Sequence, residues 1–277
     1  MPDFELASGE AWLWMAGSLL LAGLWTNLAW LFSPWVEAGR SPDDSESLAE
    51  RIVILLASWR FSPVLFQGLR LLYYVALPFA ALFWGYDAVI SRFFGLQRLI
   101  LPTSGALAGS ASINANWLDW ANDIGWAAAL GLGSWALLMV AGWVRRRALA
   151  GTDRSRPGGR VSVWETLREA LYHETHWAFY RSAPIETFGL YWGTWAGLTL
   201  AALEALINPA WRKGLRHPER AAALLLRAAL AVISSLLFLR TQNLWLAILL
   251  HWGVASSLRA LYPAPSEVVP RGAGTGM

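Results

Sequence analysis

Six stretches of this chain are long, apolar and almost free of charge: Ala11–Phe32, Val64–Val89, Ile124–Val144, Ile185–Ile207, Ala221–Leu239 and Leu244–Leu261. Crossing the roughly 30 Å hydrocarbon core of a bilayer takes about 20 helical residues. Only helices and closed barrels satisfy their backbone groups there. The expected fold is therefore an all-α, polytopic transmembrane helical bundle. Composition agrees: 56% of the 277 residues are hydrophobic and 15% charged, with a mean hydropathy of +0.39. A soluble domain carries about 25% charged residues. The 19 tryptophans fit an aromatic belt at the membrane–water interfaces and helix packing, or a pigment or quinone cradle. The absence of cysteine excludes disulfides, thiolate metal sites and a cysteine nucleophile. Of the 22 basic residues only Lys213 is lysine, and nucleic-acid binding is not read from them. The N-terminal residues lack a basic n-region and a small-residue cleavage site, so Ala11–Phe32 reads as a retained span.

The loops add a seventh crossing. Loop 145–163 holds Arg145, Arg146, Arg147, Arg154, Arg156 and Arg160; loop 208–220 holds Arg212, Lys213, Arg216 and Arg220. Both belong on the cytoplasmic side by the positive-inside rule. One crossing at Ile185–Ile207 would separate them, whereas a further crossing at Val161–Ala183 reunites them. That segment is too polar to face lipid and must be wrapped by other helices or line a wet cavity; otherwise it lies as an amphipathic helix at the interface. The expectation is about seven spans, with the N-terminus outside and the C-terminus inside. Ala49–Phe61 reads as a short membrane-associated helix, Pro102–Asn116 as an external loop, and Pro263–Met277 as a disordered Pro/Gly tail. The chain divides into N-terminal membrane helices and loops (1–160), a membrane core (161–262) and the tail (263–277). The expected setting is a multi-pass position in a bacterial cytoplasmic or photosynthetic membrane, with lipids and membrane-protein complex subunits as partners.

Chemistry concentrates in His173–Arg181, HETHWAFYR. Ionisable groups at membrane depth are kept where they pair, bind or react. On a helix, Glu165, Glu169, His173, His176 and Tyr180 form one polar stripe, while Glu174 and Arg181 share another face. Three roles fit. Glu174 or Glu169 acts as a general base on water, with a histidine stabilising the developing negative charge. Alternatively, Glu169, His173 and His176 ligate a divalent metal, helped by His251, because their spacings suit one ligand face. HETH is not the HExxH of zinc proteases. In the third role, Glu–Arg and Glu–His pairs simply tie helices together.

A second constellation lies at Leu237–Leu258. Arg240, Thr241, Gln242 and Asn243 form a polar turn, and His251 follows about two helical turns into an apolar helix. A lone histidine there is a hydrogen-bonded core residue or an axial ligand to a tetrapyrrole such as haem or chlorophyll. The order arginine turn, apolar helix, histidine, small residues, as LRTQNLWLAILLHWGVA, resembles the C-terminal motif of the CPBP family. This family comprises the CAAX-protease and bacteriocin-processing intramembrane endopeptidases. HETHWAFYR sits where that family carries EExxxR on an earlier helix, and the resemblance covers about Trp164–Leu258.

The resemblance implies a CPBP-like C-terminal core in which glutamates and histidines activate water near the membrane. Arg181 takes the place of the motif arginine and His251 that of the final histidine. The two glutamate positions are occupied by His176 and Trp177, the polar residue expected four after His251 is Ala255, and FxxxH is not evident. Phe188 is followed four residues on by Trp192, and the next span offers Glu204 and Asn208. The implied activity is a glutamate/histidine-dependent endopeptidase on membrane-associated peptides. In it Glu174 is the base, His176 and His251 orient water or stabilise the oxyanion, and Arg181 holds Glu174. The alternative is a catalytically inactive subunit or assembly protein of a larger membrane complex, contacting pigment or lipid.

Overall fold

The computed structural model describes residues 2–37, 51, 59, 61–84, 111–149, 162–259 and 261–262. These residues form helices in the order α1 (Pro2–Glu37), α2 (Ser62–Leu71), a π-helical turn (Leu72–Ala76), α3 (Leu77–Trp84), α4 (Ala111–Leu149), α5 (Val163–Ile207), α6 (Pro209–Leu215), α7 (Pro218–Thr241) and α8 (Leu244–Leu258). The expected loop Pro102–Asn116 is shortened, because its last residues already belong to α4. The tail and most of Ala49–Phe61 lie outside the described residues.

Local signals explain several boundaries. Ser162 and Glu165 make a reciprocal capping box that starts α5. Asn208 caps α6 and Pro209 opens it. The polar turn sits at the α7–α8 junction: Gln242 adopts a left-handed conformation and the Asn243 side chain accepts from Trp245 N and Leu246 N.

Among the described residues, four helical segments are long and apolar enough to cross a membrane: Ala11–Leu31, Trp117–Ala148, Val163–Ile207 and Arg220–Thr241. Val64–Ala80 and Leu244–Leu258 are shorter apolar helices. This is fewer than the seven read from the sequence. The last two fall below the length a hydrocarbon core takes, and the two neighbouring segments Val161–Ala183 and Ile185–Ile207 fall within the single element α5. Leu20 and Leu137 leave 75% and 72% of their surface uncovered, as lipid-facing side chains do. Surface this apolar would be unusual on a soluble monomer.

α5 is not one rod. A straight helix would place His176 and Glu204 roughly 40 Å apart at about 1.5 Å per residue, yet their side chains meet at 2.8 Å. The chain turns back at Gly189, whose φ of 76° and ψ of 171° lie outside the helical region. Only glycine adopts that backbone conformation readily. The two limbs, 163–188 and 190–207, then run side by side. A Cβ on Gly193 would lie 2.3 Å from Ile185 Cα, and one on Gly197 would lie 2.6 Å from Arg181 Cγ. Small residues at both positions let the limbs touch, as in close-packed membrane helices.

The first limb is the centre of the molecule. Residues 172–176 and 178–185 are buried. Met15 of α1 packs with Ala178, Phe179, Tyr180 and Ala183 of this limb and with Leu244 and Ile248 of α8. A second cluster joins Trp120 of α4 to Leu226, Leu230 and Leu237 of α7 and Leu250, Val254 and Leu258 of α8. The polar segment is thus enclosed by other helices.

Candidate functional site: two carboxylate–imidazole pairs

The first pair joins limb one of α5 to α7 and α8. Glu174 is fully enclosed, with 0% of its surface exposed. Its Oε1 lies 2.8 Å from His251 Nδ1, and its Oε2 accepts from the Ser234 hydroxyl of α7. A buried carboxylate needs such donors, since desolvating it alone is prohibitive. The His251 ring stacks beside Trp177, with centroids 5.5 Å apart, and beside His173 at 5.9 Å. With Nδ1 engaged by the carboxylate, Nε2 is the nitrogen left for chemistry. This geometry suits a carboxylate that orients an imidazole better than one that itself takes a proton from water as the general base.

The second pair lies elsewhere on the same limb. His176 Nε2 is 2.8 Å from Glu204 Oε2, contributed by the second limb of α5. His176 is 2% exposed and the Glu204 side chain 17%. Tyr73, from the π-helical turn, donates to Glu204 Oε1 at 3.3 Å. The same hydroxyl lies 3.4 Å from His176 Nε2, from Tyr180 Oη and from both the hydroxyl and the backbone carbonyl of Ser18 in α1. Tyr74 rests 5.0 Å from the His176 ring and stacks on Tyr172 at 5.9 Å. A π-helical turn is a frequent mark of a functional segment, and here two consecutive tyrosines from it reach α5.

The structure brings Glu174 and His251 together across 77 residues of sequence. It does not join Arg181 to Glu174 by a hydrogen bond. All three guanidinium nitrogens of Arg181 are buried without a hydrogen-bond partner, its carbon lies 4.2 Å over the Phe238 ring, and Gly197 makes room for its stem. Glu174 is nevertheless the neighbouring charge that acts on it.

The proposed metal ligands Glu169, His173 and His176 do not converge. Glu169 makes a bidentate pair with Arg70 of α2, at 3.0 and 2.6 Å. His173 Nδ1 donates to the Glu169 backbone carbonyl at 2.6 Å, and His176 faces Glu204. Among the described residues no three histidine, aspartate or glutamate side chains are grouped to hold a metal ion.

Sequence reasoning missed the partners. Glu204 stood out only as a polar residue in an apolar span, which was itself a usable signal. Ser234, Tyr73, Tyr74 and Ser18 carried none, because hydroxyl-bearing residues are ordinary in membrane helices. Arg70, in the second apolar segment, gave no sign of its partner either, yet it binds Glu169. In comparisons with known proteins, no family model, no curated protein and no solved structure matches the chain.

Proposed function

We propose that this chain is a divergent CPBP-like intramembrane hydrolase that cleaves a peptide bond in a membrane-associated substrate. The observation carrying the reading is the 2.8 Å contact between Glu174 and His251 inside the bundle. A neutral His251 that donates Nδ1–H to Glu174 presents a lone pair at Nε2. That nitrogen takes a proton from water, and the hydroxide adds to the scissile carbonyl. The imidazolium then returns the proton to the leaving amine, and Glu174 stabilises the positive charge in between, as the carboxylate does in other hydrolase triads. The resemblance of LRTQNLWLAILLHWGVA and of the Arg181 position to the CPBP motifs points the same way.

The fold-back at Gly189 supports a seven-crossing topology. Its two limbs count as two passes, and they return the basic loops 145–163 and 208–220 to one side. The setting is a bacterial cytoplasmic or photosynthetic membrane.

A second reading, a non-catalytic subunit of a membrane complex, is favoured by the complete enclosure of Glu174 and by the exposed Trp164 and Trp192. One experiment separates the two. The purified protein is incubated with a mixed library of membrane peptides beside Glu174→Gln and His251→Ala variants matched for thermal stability. The hydrolase reading expects cleavage by the wild type that both variants lose. No cleavage by a folded wild type moves the assignment to the subunit.

A further inference from the structure

We infer that His176 and Glu204 form a separate proton-binding site that couples one proton, through Tyr73, to the seating of α1. This goes beyond the hydrolase reading and does not depend on it.

Its separateness follows from helix geometry. Glu174 and His176 are two residues apart, about 200° around the helix axis, so they face opposite ways. The first pair is completed by α7 and α8, the second by the other limb of α5, the π-helical turn and α1. The surroundings also differ. Glu204 keeps a partly exposed edge, the route we assign to the proton, whereas His176 is buried.

The pair carries net charge −1 when the imidazole is neutral and net charge zero when it is protonated. In apolar surroundings the zero-charge form is cheaper to hold. Uptake therefore transfers one proton from bulk water to the pair, and release returns it, with no other reactant.

Tyr73 reads the state. Its single O–H has acceptors on different elements, among them Glu204 Oε1 at 3.3 Å and the Ser18 backbone carbonyl of α1 at 3.4 Å, with Tyr180 Oη also within 3.4 Å. Without the proton, Glu204 bears a full uncompensated charge and draws the O–H. With the proton, the imidazolium shares that charge, and the O–H turns to Ser18 and ties α1 to the π-helical turn. The groups around the pair are Ser18 from α1, Tyr73 and Tyr74 from the turn, and His173 and Tyr180 from the first limb. The charges bearing on Tyr74 and His173 include Arg70 of α2 and Arg227 of α7. Glu169 also bears on Tyr74; arginine stays charged across the tested range, and His173 has imidazole resonances of its own, so the response of the pair is read separately from it.

The chain has only four histidines and no cysteine, which makes the test clean. Imidazole ¹⁵N resonances of the full-length protein in nanodiscs are followed from about pH 4 to pH 10, the range that spans histidine titration. In parallel, spin labels on cysteines introduced at the exposed Leu20 and Leu69 report the α1–α2 distance. The expected result is a His176 titration whose proton affinity drops about tenfold or more in Glu204→Gln, which keeps the shape and removes the charge. The label distance distribution should be narrow at low pH and broaden as the pH rises through that titration. In Tyr73→Phe, His176 should still titrate while the pH dependence of the distance is lost. Three results would overturn the inference: a wild-type His176 that does not titrate in this range, an affinity unchanged in Glu204→Gln, or a pH-dependent distance that survives in Tyr73→Phe. The first of these uses no substituted site residue, so it stands even where a variant misfolds.

Discussion

The two carboxylate–imidazole pairs share a helix limb and the same 2.8 Å separation, yet their surroundings differ. Glu174 has no exposed surface and gives one oxygen to an imidazole and the other to a serine. Glu204 keeps an open edge and shares its second oxygen with a tyrosine that has other acceptors nearby. A closed carboxylate with every oxygen engaged fixes its partner in one orientation and tautomer. An open one, in a network with alternatives, can exchange a proton and change partners. Glu174 and His176, two positions apart on one limb, thus enter one closed pair and one that is partly open.

That contrast can be broken most directly by removing each carboxylate. Glu174→Leu leaves Ser234 and His251 facing an apolar group inside the bundle, and should cost about 3–5 kcal/mol in detergent unfolding. Glu204→Leu should cost distinctly less, because its side chain is only partly enclosed by the protein. Equal losses would sink the distinction between closed and open pairs.

A smaller effect is expected from the hairpin. Gly193→Ala sets a methyl against the Ile185 backbone, and should cost about 1–3 kcal/mol by forcing the limbs apart. Because those limbs supply both halves of the second pair, the His176 resonance should move while that of His251 stays. Movement of both would mean the pairs are not mechanically independent.

Ser234→Ala sharpens the account of the first pair alone. It deprives Glu174 Oε2 of its donor and should lower stability by about 1–2 kcal/mol, with loss of any hydrolytic rate through a less fixed His251. A stability loss without change in the His251 ring environment would make Ser234 a packing residue only. The smallest effect belongs to Arg70→Lys. The Arg70–Glu169 pair is partly exposed, so losing its bidentate geometry should cost under about 1 kcal/mol, read as a shift in thermal midpoint.

Much of the helical layout was legible in the sequence, because apolar run length is a one-dimensional property. The polar helix of HETHWAFYR, its burial and the turn at Arg240–Asn243 followed from the cost of charge in hydrocarbon and from capping chemistry. The site was legible only by halves. Glu174, His176 and His251 stood out as ionisable residues in apolar context, but the expectation that Arg181 holds Glu174 came from the resemblance of Arg181 to the CPBP motif arginine. The Arg181 nitrogens make no such bond, and the carboxylate turns to α7 and α8 instead. Glu169 likewise turned from its histidine neighbours to Arg70, since a guanidinium fork matches a carboxylate better than a shared imidazole face.

The sequence by itself determined that this is a helical chain of membrane-spanning character, with its ionisable residues gathered on one central segment. Hydrophobic length and the cost of buried charge are properties of the residues, whatever their neighbours. Only the tertiary structure decided which carboxylate meets which imidazole. Glu174 lies 77 positions from His251, and Glu204 reaches His176 only because the chain reverses at Gly189. Pairing depends on how the limbs and helices fold back, and that rests on a backbone conformation and two close glycine contacts whose consequences no local pattern displays.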